Sequence, residues 1–138
     1  MKSILLSTVV ALSIWSPANA ASKVLNELPQ IMQGDWCFTQ GRSRVGDRDS
    51  YSKGKCDEKE EDAEGRNATL NSIRFDSWET ECNIDKIREI VRGKSYTLEM
   101  KCVGEGAIWN ERVNFTIVTY NSETMLIPKK EWTSTPQY

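Results

Sequence analysis

Four cysteines, Cys37, Cys56, Cys82 and Cys102, all lie behind an export-type leader, and no other feature of the 138-residue chain restricts its fold as tightly. Lys2 gives a positive start, residues 4–15 are almost wholly apolar, and Pro17-Ala18-Asn19-Ala20 is a small-residue exit. Residues 1–20 therefore read as a signal peptide, with a mature chain expected to begin at Ala21. The apolar run spans 12 residues, short of the roughly 18 that a membrane-spanning helix needs, so no membrane span is expected. Outside the cytoplasm thiols oxidise, and an even cysteine count points to two disulfides. The expected location is periplasmic or secreted.

The remaining 118 residues, 21–138, make one domain on ordinary size grounds, with a core modest enough for staples to matter. Without the leader, whose only charge is Lys2, 17 basic residues face 20 acidic ones. No basic stripe exists, and the acidic run 57–64 would repel phosphate backbones, so nucleic acid is not an expected partner. The chain has no histidine, which removes the commonest general base, the commonest zinc ligand and every imidazole-based triad. No cofactor and no metal are expected.

Along the chain, Pro29 and Gly34 bracket a single helical turn over 29–33, followed by a strand from Asp35 to about Gln40. Residues 41–66 are crowded with charge and punctuated by Gly41, Gly46, Gly54 and Gly65, and so read as loop with one short strand over 50–53. From Thr69 the pattern is β. Leu70, Ile73, Phe75 and Trp78 suggest one imperfect strand with a bulge. Tyr96, Leu98, Met100 and Cys102 share one face of a half-buried strand, and Trp109, Val113, Phe115 and Ile117 one face of the next. The loop 104–107 joins these two, and a second hairpin turns at Asn121-Ser122 and returns through 125–127. Residues 84–91 admit a helix by spacing, but the segment is short and β-branched, so a bulged strand is preferred. The expected fold is all-β: a small antiparallel meander of six to eight strands closing into a barrel or tight sandwich.

If 84–91 and 96–102 form that bulged hairpin, Cys82 comes opposite Cys102 and Cys37 is left to clasp Cys56. Sequence alone does not choose among the three possible pairings. Each bridge of this pairing closes a loop of about 20 residues, worth roughly 3 kcal/mol. A redox or metal site is the weaker reading, because no pair has C-x-x-C spacing.

Gly34-Asp35-Trp36 after a helical turn resembles the G-x-W opening of lipocalins and related calycin barrels, which implies a tryptophan closing one barrel end. A longer pattern covers residues 28–109: Gly34-x-Trp36-Cys37, Cys56, Trp78-Glu79-x-x-Cys82, and Cys102-x-Gly104-Glu105-Gly106-x-x-Trp109. It resembles small exported, disulfide-containing proteins of Gram-negative bacteria. That resemblance implies a location and a cysteine framework and supplies no activity.

Trp36, Trp78, Trp109 and Trp132, with Tyr96 and Tyr120, either stack on a ligand or form the core, and in a small domain the core is the commoner use. Glu79 and Glu105 are two loop carboxylates that would serve sugar chemistry only if brought together at a cleft. The run 57–64 lacks the glycine-centred ligand spacing of a calcium loop and reads as a solvated acidic surface. The triplets at Asn67 and Asn114 match glycosylation acceptors by coincidence in a bacterial-type protein. The function expected is that of a non-enzymatic binding module taking a small ligand, with Trp36, Trp78, Glu79, Glu105 and Trp109 as candidate contacts. The alternatives are an inhibitor of a cell-wall hydrolase or protease, docking a basic extracytoplasmic protein through 57–64, and a carboxylate-based glycan-acting enzyme.

Overall fold

The computed structural model describes residues 22–39, 49–54, 56, 67–77 and 79–138. The leader, Trp78 and most of 41–66, including the acidic run 57–64, lie outside the described residues, and so do the expectations placed on them. Strand residues dominate because apolar side chains recur with a period of two and fill one interior. The elements are β1 (Lys23–Leu25), a 3-10 turn (Gln30–Met32), β2 (Gly34–Thr39), β3 (Ser50–Lys53), β4 (Ala68–Leu70), β5 (Arg74–Ser77), β6 (Thr80–Val91), β7 (Ser95–Gly104), β8 (Ala107–Tyr120) and β9 (Glu123–Thr133).

Eight of these strands close an antiparallel barrel. Around the wall the order is β4-β5-β6-β7-β8-β9-β3-β2 and back to β4, with β6 paired to β7 to complete the circuit. Strands β4 to β9 form a six-stranded meander. The β2–β3 hairpin fills the gap in swapped order, β2 against β4 and β3 against β9, which a pure up-and-down barrel would not show. Short β1 rides on the edge of β6 beyond β5. Closure leaves the barrel strands without open edges along the paired stretches, the physical reason small antiparallel sheets curl.

One end of the barrel is filled. Leu28, Met32, Trp36, Leu70, Leu98 and Leu126 are all at most 2% exposed, and burying each such side chain contributes about 1.5–3 kcal/mol. The N-terminal segment makes the plug. The Trp36 indole N–H donates to the Met32 carbonyl at 2.9 Å, Gln33 Nε2 donates to the Leu28 carbonyl at 2.8 Å, and the Leu28 N–H donates to the Ser72 carbonyl at 3.0 Å. Lys53 covers the outside, its Nζ donating to the Ile31 carbonyl at 3.0 Å and lying 5.5 Å from the Trp36 ring centre.

The bulged-strand reading of 84–91 is correct: β6 runs through it with register shifts after Ile84 and after Glu89, the first of which lets Ile84 and Ile87, three apart, both pack on the core. Both disulfides form as the hairpin argument expects. Cys82 and Cys102 are directly opposite on β6 and β7 with Cα atoms 4.0 Å apart, and Cys37 bridges to Cys56 at 5.1 Å. Two strand expectations change. The segment from Thr69 to Ser77 is not one bulged strand but the hairpin β4–β5, turned where the Asn71 side chain accepts hydrogen bonds from the backbone N–H of Ile73 (3.1 Å) and Arg74 (2.9 Å). Strand β9 continues to Thr133 rather than ending at Ile127, carried by pairing with β8 across one bulge.

Candidate functional site

The other end of the barrel is open. Here the lumen holds a cavity of about 630 Å³ walled by the aromatic rings of Phe38, Tyr51, Phe75, Trp109 and Phe115. The rings contact one another edge-on or tilted, Phe38 to Tyr51 at 5.2 Å, Tyr51 to Phe75 at 6.4 Å and Phe75 to Phe115 at 6.4 Å between centres. They come from four strands, β2, β3, β5 and β8, which sequence separates widely and the barrel brings together. The floor is Cys82 of the internal disulfide, with Met100 and Val113.

One carboxylate reaches into this apolar wall. Glu111 occupies an inward position of β8 between Trp109 and Val113, and its side chain is only 10% exposed. A buried carboxylate requires partners, and Glu111 has two. Its Oε1 takes the Lys130 ammonium at 2.7 Å, and its Oε2 accepts the Trp109 indole N–H at 3.2 Å. Oε2 also lies 3.8 Å from Cys102 Sγ. Cys82, Cys102 and Glu111 thus cluster within 4.8 Å. Both sulfurs are committed to the disulfide, so the cluster offers a metal one carboxylate and no thiolate. Lys130, in contrast to its partner, has a side chain 69% exposed.

The rim is built from two tight turns. Glu105 and Gly106 both have positive φ, +47° and +76°, the signature of a two-residue type I′ hairpin joining β7 to β8. Glu79, at φ +50°, turns β5 into β6. These turns abut: a side chain at Gly104 would collide with the Glu79 carbonyl and press on the Trp109 ring, so glycine there lets the two turns meet and Trp109 lie flat over β7. Glu79 and Glu105 therefore share a rim hollow of about 320 Å³ with Trp109 and Tyr138, and Thr80 and Trp109 line both this hollow and the main cavity.

Of the residues singled out in the sequence, Glu79, Glu105 and Trp109 gather at the mouth. Trp36 does not; it is fully buried at the opposite end and belongs to the plug. Trp132 lies on the outer wall, 5.4 Å from the Arg112 guanidinium carbon, Tyr120 is an exposed residue at the far end of β8, and Tyr96 is buried beside Glu89, so the tryptophans and tyrosines form no single stacking platform. The Tyr96 phenol has its pKa raised by burial first, then by its hydrogen bond to Glu89 and the charge of that carboxylate. On the outer wall Arg74, bonded to Asp76 at 3.1 Å and paired with Glu81 at 3.0 Å, is raised above its ordinary value for those two reasons in that order.

Sequence reading missed Glu111, Lys130, Phe38, Tyr51 and Phe75. A signal for Glu111 was present: it falls on the inward parity of a strand whose other inward residues are apolar, and an acid in that series is conspicuous. Set beside known proteins, the chain matches no family model, no curated protein and no solved structure.

Proposed function

We propose that the protein is a non-enzymatic extracytoplasmic binding module that holds one small, largely apolar ligand in the barrel mouth. The observation that carries this reading is the contrast within one lumen, packed solid at one end and open as a cavity of about 630 Å³ at the other. That volume lies in the range of roughly 300–1,000 Å³ typical of small-molecule sites, and an aromatic wall with a few converging polar groups is their usual composition. The two disulfides support an oxidising compartment, since such bonds persist where thiols are not kept reduced. They also support a rigid rim, because Cys82–Cys102 ties the two strands that carry Glu79 and Glu105 to their turns.

Titration of the oxidised protein with the neutral fluorophore N-phenyl-1-naphthylamine tests the proposal. A saturable, blue-shifted emission at one equivalent is expected, abolished by Ser77→Trp, which places an indole in the cavity. Undiminished binding to that variant, with its circular dichroism unchanged, would place the ligand elsewhere and refute the reading.

A second reading rests on the shared rim hollow of Glu79 and Glu105: a carboxylate pair acting on a glycan beside Trp109. Release of reducing ends from peptidoglycan or soluble glycans, lost in both Glu79→Gln and Glu105→Gln, is its requirement. No release by the wild type eliminates it.

A further inference from the structure

Beside the Glu111–Lys130 pair, the charged side chains described in the rim hollow are both carboxylates, Glu79 and Glu105. Among the described residues that line the cavity and the rim hollow beside it, Glu79 and Glu105 stand at the rim and Glu111 inside, Asp49 is engaged in a contact of its own, and the single cation is Lys130. Carboxylates in these positions favour a cation over an anion. Inside, Glu111 is a carboxylate nine-tenths buried, and the ammonium it holds belongs to a long side chain that is mostly in water. An exposed lysine loses little by returning to solvent. Next to that carboxylate stands the Trp109 ring, fixed by its N–H bond to Glu111 and by its seat on Gly104. Aromatic walls around a carboxylate are what an organic ammonium requires, because each ring face attracts a positive charge.

We propose that the mouth selects organic cations: an apolar body seated among Phe38, Tyr51, Phe75 and Phe115, with an ammonium taking the place of Lys130 on Glu111. This rests on the cavity reading above and names the chemical class of its ligand. Lys130 then acts as a tethered stand-in that keeps Glu111 paired until the ligand arrives, and it is a competitor rather than a contact.

Competition among three naphthalenes of one shape separates the possibilities: 1-naphthylmethylammonium, 1-naphthalenemethanol and 1-naphthoate, each displacing N-phenyl-1-naphthylamine at pH 7 and low ionic strength. The ammonium is expected to displace the reporter at a concentration on the order of tenfold below that of the alcohol, with the carboxylate weakest. Glu111→Gln loses the preference for the cation, so that the ammonium and the alcohol displace the reporter at similar concentrations. Lys130→Ala, which leaves Glu111 with the Trp109 N–H and is therefore checked for its fold by circular dichroism, strengthens ammonium binding several-fold. Equal or tighter binding of the carboxylate, or weaker ammonium binding in Lys130→Ala, overturns the selectivity while leaving the cavity reading intact. Failure of the reporter itself to bind the wild type refutes the cavity reading and this one with it.

Discussion

At the closed end of the barrel the carboxylate of Glu89 is held by uncharged donors of the fold itself. It accepts the Tyr96 hydroxyl at 3.0 Å and the Gly93 N–H at 3.3 Å. At the mouth the carboxylate of Glu111 leans instead on a lysine whose side chain is 69% exposed. The first arrangement sits on β6, β7 and the turn between them, the second on β8 and β9. The difference is in the donors: internal neutral ones leave nothing to exchange, while an ionic partner reaching in from solvent can be replaced by another cation. Packing follows the same division, since the closed end buries Trp36 completely and the mouth leaves Trp109 half-buried against a void.

The sharpest way to break this contrast is to truncate one tryptophan at each end. Trp36→Ala should cost about 3–5 kcal/mol in urea unfolding, because the plug loses its largest side chain and cannot collapse around the gap. Trp109→Ala should cost less than about 2 kcal/mol and abolish reporter binding. Equal losses would mean that the mouth is as well packed as the plug. The two disulfides offer the next contrast. Their loops are nearly equal, 19 and 20 residues in separation, so chain entropy assigns each roughly 3 kcal/mol. Cys82 and Cys102, however, are 1% and 0% exposed. Replacing both by alanine should destabilise the protein by about 1–2 kcal/mol more than replacing Cys37 and Cys56, the excess being the void left in the lumen. Paired denaturation curves measure it directly.

A pH titration probes the closed end alone. The unfolded Tyr96 ionises near its ordinary 10.0, while the folded phenol, buried and bonded to Glu89, holds its proton to higher pH. Above 10.0 the unfolded state therefore binds fewer protons, so stability is fully present below that pH and is lost as pH rises through the folded value. The decline should be steeper in the wild type than in Tyr96→Phe, and parallel curves would show that the contact is absent in solution. The smallest effect belongs to the outer wall. Arg112, bonded to Glu99 at 2.7 Å beside Trp132, is solvated enough that Arg112→Ala should change stability by no more than about 1 kcal/mol.

The plug was more legible in the sequence than the mouth, and the reason is local. Pro29, Gly34 and Trp36 are neighbours that specify a turn and an anchoring ring within eight residues, and the strict alternation from Tyr96 to Cys102 marks its wall. The cysteine pairing followed from one hairpin, because β6 and β7 are adjacent in sequence and Cys82 and Cys102 are in register. Phe38, Tyr51, Phe75 and Trp109 meet only through pairings between distant segments, which no window of sequence contains. The β4–β5 turn was hidden for another reason: Asn71-Ser72-Ile73 has neither glycine nor proline, and Ile73, apolar yet 56% exposed, imitates a strand residue. Nothing local indicates that the β2–β3 hairpin is inserted in swapped order.

That insertion governs when the molecule can become a barrel at all. Tyr51 near the start of the wall pairs with Leu126 near its end, so the barrel strand made last is the one that receives the first hairpin. The meander β4 to β9 can zip together neighbour by neighbour, but the seam waits for a contact of long sequence separation, the slow kind. A nascent chain cut short before β9 has strands, turns and a cross-strand bridge, yet no enclosed interior.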